Sequence, residues 1–63
     1  MRYDLAIKQL REKMLVSQEE LAKTLGVSVV TVSRWETGKF IPTFKIRRKL
    51  KELFLQYSIS TED

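Results

Sequence analysis

The sequence predicts an all-α chain, a compact bundle of four short helices with room for a short fifth at most. Three observations carry that prediction. Apolar residues recur at helical spacing in the first and last segments of the chain. The run SQEELAKTLG, residues 17–26, contains both a helix start and a helix stop. The most strand-like run, VSVVTVSRWE, residues 27–36, divides cleanly on a helical wheel and does not divide on a strand.

The first helix spans about Tyr3 to Met14, with Ile7, Leu10 and Met14 on one face, and ends near Leu15. Ser17 then opens the second. Its side chain can accept from the amide of Glu20 while Glu20 reaches back to the Ser17 amide, and Glu19 and Glu20 complement the positive end of the helix dipole. Leu21, Ala22 and Leu25 supply the apolar face, and Gly26 suits the left-handed position that follows a helix. Ser28 is a second N-cap, so the valines after it begin a helix despite the low helix propensity of β-branched residues. At about 100° per residue, Val29, Val30, Ser33, Arg34 and Thr37 share one side; Thr31, Val32 and Trp35 share the other, with Glu36 at the border. Gly38 ends this helix, and Pro42 with Thr43 opens the last, where Ile46, Leu50, Leu53, Phe54 and Tyr57 form an apolar stripe. Residues 1–57 make one domain, and 58–63 are expected to be a frayed tail.

A chain of 63 residues buries only about 60% of the surface it exposes when unfolded, so its stability margin is thin. Cysteine and histidine are both absent, which removes disulfides and the usual soft or imidazole metal ligands. Helix packing or self-association must hold it together. No apolar run approaches the ~20 residues of a membrane span, so the expected location is cytoplasmic and no membrane partner is expected. Twelve basic against eight acidic residues give a net charge of +4. Six of the basic residues (Lys39, Lys45, Arg47, Arg48, Lys49, Lys51) fall between Thr37 and Lys51, where there is no acid.

Two short helices joined by LGVS have the form of a helix-turn-helix, over about residues 17–37. From Ile7 to Phe54 the chain resembles the Cro and phage-repressor-type (Xre-like) helix-turn-helix family. The Ser-Gln-Glu-Glu-Leu-Ala start, the Leu-Gly-Val-Ser turn and the Trp-Glu-x-Gly exit occur in register. The resemblance implies a lambda-repressor-like fold and a small transcriptional regulator, repressor-like, that binds double-stranded DNA with residues 28–37 in the major groove.

Base contacts are then expected from Val29 and Val30, through thymine methyl groups, and from Ser33 and Arg34, the arginine donating two bonds to guanine. For either valine the alternative is a core position beneath the second helix; for Arg34 it is a phosphate contact or a surface ion pair. Phosphate contacts are expected from Gln18, Ser28, Thr37, Lys39 and Thr43, with Lys45 and Arg48 adding longer-range attraction. In similar proteins an arginine at the place of Arg11 pairs with the glutamate at the place of Glu36, so these two form an expected structural ion pair. Trp35 is expected inside. Phe40, Phe44 and Leu55 have no place in the core stripe and are candidates for a homodimer contact, through the fourth helix and C-terminal residues, or scattered surface apolars. The chain departs from the family at Leu15, where relatives often have glycine, so a different geometry is expected at the exit of the first helix. It also ends too soon for the full fifth helix that pairs subunits in many relatives.

Catalysis finds few residues to use: histidine and cysteine are missing, no glycine-rich phosphate loop exists, and Glu19 and Glu20 are explained by capping. No cofactor, metal or small-molecule substrate is expected. The competing reading is a helix-turn-helix module that binds protein, such as an antitoxin or adaptor, since fold alone does not decide function.

Overall fold

The computed structural model describes residues 2–59 and folds them into α1 (Tyr3–Met14), α2 (Gln18–Leu25), α3 (Val29–Glu36) and α4 (Phe44–Gln56), with no strand among the described residues. Helix starts follow the local chemistry. At α2 the reciprocal cap is complete: the Glu20 amide donates to Ser17 Oγ at 3.1 Å and the Ser17 amide donates to Glu20 Oε1 at 2.9 Å. Those bonds favour the charged form and hold the Glu20 carboxyl below its ordinary range. At α3 the Ser28 hydroxyl accepts from the Thr31 amide at 3.2 Å. Thr43 precedes α4 in an extended conformation without a side-chain cap bond.

Helix ends follow one plan throughout. Four residues, Leu15, Gly26, Gly38 and Ser58, adopt positive φ values of 58°, 73°, 78° and 57°. Each is followed by a residue whose amide reaches back five positions: Val16 to the Arg11 carbonyl (3.2 Å), Val27 to Ala22 (2.9 Å), Lys39 to Arg34 (3.0 Å) and Ile59 to Phe54 (2.8 Å). The left-handed residues donate to the carbonyls three positions back, of Glu12, Lys23, Trp35 and Leu55. This is the Schellman closure, repeated at every helix, and it satisfies carbonyls that would otherwise lack partners. The residue after the turn is apolar and packs inward in three of the four cases, as Val16, Val27 and Ile59.

Two expectations change here. Leu15 does not give α1 a different exit; it closes that helix with the same pair of bonds that Gly26 gives α2, its side chain 90% exposed. The tail expected to fray from Ser58 does not do so at its start, because Ser58 turns the chain and Ile59 is 6% exposed in the core. The rest of that tail, 60–63, lies outside the described residues.

The core joins Ala6, Ile7 and Leu10 of α1, Leu21, Ala22 and Leu25 of α2, Val32 and Trp35 of α3, and Leu50 and Phe54 of α4 to Ile59. Burying Val32 and Trp35 explains why the valine run is helical, since tertiary packing outweighs a propensity penalty of a few tenths of a kcal/mol per residue. Helix α3 packs against both α1 and α2, and α4 packs against α1. The radius of gyration, 10.3 Å, is close to the ~10.6 Å of a fully packed chain of this length. Helix packing alone thus makes the chain dense.

Candidate nucleic-acid interface

The two helices α2 and α3 meet through Gly26, Val27 and Ser28, and the turn fixes which side of α3 faces out. Val32, Trp35 and Glu36 are buried, whereas Val29, Val30, Arg34 and Thr37 are exposed and Ser33 is half-buried. Neither valine is packed beneath α2: Val29 is 38% and Val30 53% exposed. Two apolar side chains stand at the start of the outward face, and a cation stands one turn further on.

The only acid between Val27 and Lys51 is Glu36, and the structure removes it from that face. Arg11 donates from Nε to Glu36 Oε2 at 2.9 Å and from Nη2 to Oε1 at 3.0 Å. This is the expected ion pair in its two-bond form, and the carboxylate partner raises the Arg11 pKa further above its ordinary value. Gln18 Nε2 donates to Glu36 Oε1 at 3.1 Å. One carboxylate thereby ties together α1, the start of α2 and the end of α3.

That geometry revises two of the residues expected on phosphate. The Gln18 side chain turns inward to Glu36, leaving one amide hydrogen and the carbonyl oxygen for other partners. The Ser28 hydroxyl is committed to the cap of α3 and to Thr31 Oγ1 at 2.9 Å. Thr37, Lys39 and Thr43 are exposed as expected. Thr37 Oγ1 donates to the Arg34 carbonyl at 3.2 Å and keeps its lone pairs for other donors.

Thr43 and Ile46, at the start of α4, share a groove of about 320 Å³ with Thr31, Arg34, Trp35 and Phe40, which places the start of α4 along the Thr31 and Trp35 side of α3, next to Arg34. In the basic block, Lys45, Arg48 and Lys49 surround a second depression together with Glu52, whose carboxylate dilutes their charge. Arg47 is half-buried, its guanidinium 5.9 Å from the centre of the Phe44 ring. One residue on the face was not anticipated in its role: the Phe40 ring lies under the Arg34 guanidinium, 5.6 Å from its centre. An aromatic residue six positions after Arg34 is the signal that could have shown it.

An outward α3 set against α2 across a tight turn, its back anchored by Trp35 and its one acid withdrawn, defines a helix-turn-helix protein. The family model described as Helix-turn-helix matches residues 7–54. The chain belongs to that family, in the Cro/C1-type (Xre-like) form that its sequence resembles. It is 42% identical over 48 residues to an "Uncharacterized HTH-type transcriptional regulator" of Archaeoglobus fulgidus, covering 76% of this chain and 68% of that protein. It is 35% identical over 57 residues to the "Uncharacterized HTH-type transcriptional regulator YgzD" of Bacillus subtilis, covering 90% of this chain and 82% of that one. A second such regulator of Archaeoglobus fulgidus is 38% identical over 48 residues, 76% of this chain and 69% of its own length. No solved structure matches the chain.

Proposed function

We propose that the chain is a DNA-binding transcriptional regulator that docks α3 in the major groove of double-stranded DNA. Val29 and Val30 meet thymine methyl groups, Arg34 donates its fork of N–H groups to guanine, and Ser33 adds one adaptable bond. Thr37, Lys39 and Thr43 hold phosphates on either side, and Gln18 reaches one with whatever bonding its side chain has left after Glu36. The Ser28 side chain is the weakest member of the phosphate set, because capping uses it. The observation that carries the reading is the outward face itself: exposed Val29, Val30 and Arg34 with Glu36, the one acid in the sequence between Val27 and Lys51, buried against Arg11.

Such a protein acts by binding and not by catalysis, in the cytoplasm, where its duplex is. Pairing of two copies through α4 and the residues after it would present two α3 helices to half-sites about 10 to 10.5 base pairs apart. Exposed Phe44 and Leu55 on α4 support that arrangement.

Titration with duplexes selected from a random pool, at two salt concentrations, tests the reading. Affinity is expected to fall steeply with salt, with Arg34→Ala relaxing preference at one base pair and Lys39→Ala weakening all duplexes and reducing the salt slope by about one. Absence of duplex binding at low salt would overturn it in favour of a protein partner.

A further inference from the structure

We propose that Phe40 is a positioning residue for base readout: its ring holds the Arg34 guanidinium in a preset attitude, so that Arg34 meets its base edge with little freedom left to lose. The proposal rests on reading α3 as the recognition helix, and two independent features carry it. The guanidinium carbon lies 5.6 Å from the centre of the Phe40 ring, within the ~6 Å at which the negative face of an aromatic ring attracts a cation. The backbone brings the two residues together, because the Schellman closure of α3 runs from the Lys39 amide to the Arg34 carbonyl at 3.0 Å and Phe40 follows directly. The residue that carries the ring is thus stitched to the residue whose side chain it meets.

The chemistry suits readout. A guanidinium donates its N–H bonds in its own plane, whereas a ring covers only its face, so a guanidinium lying flat over the ring keeps its donor fork free for a base. Among the described residues no carboxylate pairs with Arg34 to compete for that fork. Phe40 is 59% exposed and contributes nothing to the buried core. Core packing therefore does not explain an aromatic residue at this place. Ordering a long arginine before binding removes part of the entropy that complex formation otherwise loses, which sharpens discrimination at the base that Arg34 contacts.

The experiment uses the full chain and a duplex selected from a random pool, with single-position variants of that duplex. In it Arg34→Ala marks the base pair that Arg34 reads. Phe40→Ala is expected to lower preference at that same base pair by about 2- to 5-fold, leaving preferences elsewhere and the melting temperature unchanged. Phe40→Tyr is expected to retain the preference, and Phe40→Ala to have no further effect in an Arg34→Ala background. Failure of the unaltered chain to select any duplex overturns both the recognition-helix reading and this proposal. Selective binding by the unaltered chain overturns the proposal alone if Phe40→Ala leaves preference intact, weakens every duplex equally, or acts undiminished without Arg34.

Discussion

Glu36 carries a negative charge at the C-terminal end of α3, where the helix dipole is itself negative and solvent is excluded. Three donated hydrogen bonds, two from Arg11 and one from Gln18, make that placement tolerable. Removing Arg11 leaves the buried carboxylate with a single amide partner. Arg11→Ala is therefore expected to destabilise by about 3 kcal/mol, a fall in melting temperature of more than ~10 °C for so small a domain. The double change Arg11→Met with Glu36→Leu should recover much of that loss, because it removes the charge together with its partner. A thermal melt of the single variant close to that of the original chain would show that the carboxylate finds compensation elsewhere. Leu15 presents the opposite case, a residue whose side chain does little and whose backbone is strained. A left-handed conformation costs an L-residue about 1–2 kcal/mol, and the exposed side chain offers little burial in return. Glycine relieves that strain but gives the unfolded chain more freedom, worth about 0.4–1 kcal/mol in the other direction. Leu15→Gly should thus stabilise by up to about 1 kcal/mol, which calorimetry would register as a rise of several degrees.

Among the elements, α2 ties stability to pH most directly. Backbone and side-chain hydrogen bonds to Ser17 hold the Glu20 carboxyl below its ordinary value in the folded chain. At acid pH the unfolded chain then binds more protons at this site than the folded chain does, so stability rises with pH there. The contribution is present above the ordinary carboxylate range and is lost as pH falls through the lowered folded value. Glu20→Gln should flatten the dependence of the denaturation midpoint on pH between about pH 5 and pH 3, and an unchanged slope would remove Glu20 from the account. This start was legible in the sequence because Ser17 and Glu20 lie three residues apart and the bonds are local. The ends at Gly26 and Gly38 were legible for a similar reason, since glycine announces a positive φ. Leu15 and Ser58 announce nothing. Their conformation accompanies the inward packing of Val16 and Ile59, a tertiary effect that no residue type in the turn encodes.

At the scale of the whole molecule, a chain of this size has an unfolding free energy of only about 3–9 kcal/mol. Each core side chain is a sizeable share of that, including the one beyond the last helix. Ile59→Ala is expected to cost about 2 kcal/mol or more and to lower the melting temperature by roughly 8 °C or more. A variant melting with the original chain would place Ile59 outside the cooperative unit. Periodicity could not have found this residue, because the turn at Ser58 breaks the helical spacing that linked Leu50, Phe54 and Tyr57. The outward side of α3 was legible, since eight consecutive residues with one buried stripe leave little choice of face. The partners of its neighbours were not. Gln18 meeting Glu36 is an encounter between two helices, set by the tertiary fold and not by spacing along the chain, whereas Phe40 meets Arg34 through the local turn that closes α3.

Both ends of α3 are sealed by bonds that stay within residues 28–39: the Ser28 cap before it and the Lys39 amide behind it. The side chains of Val29, Val30 and Arg34 take no part in either seal and none in the buried core. The scaffold can therefore act as a holder for an exchangeable cassette. If α3 docks as proposed, new side chains installed together at those three positions and at Phe40 should retarget the protein to another duplex sequence without retuning anything that keeps it folded.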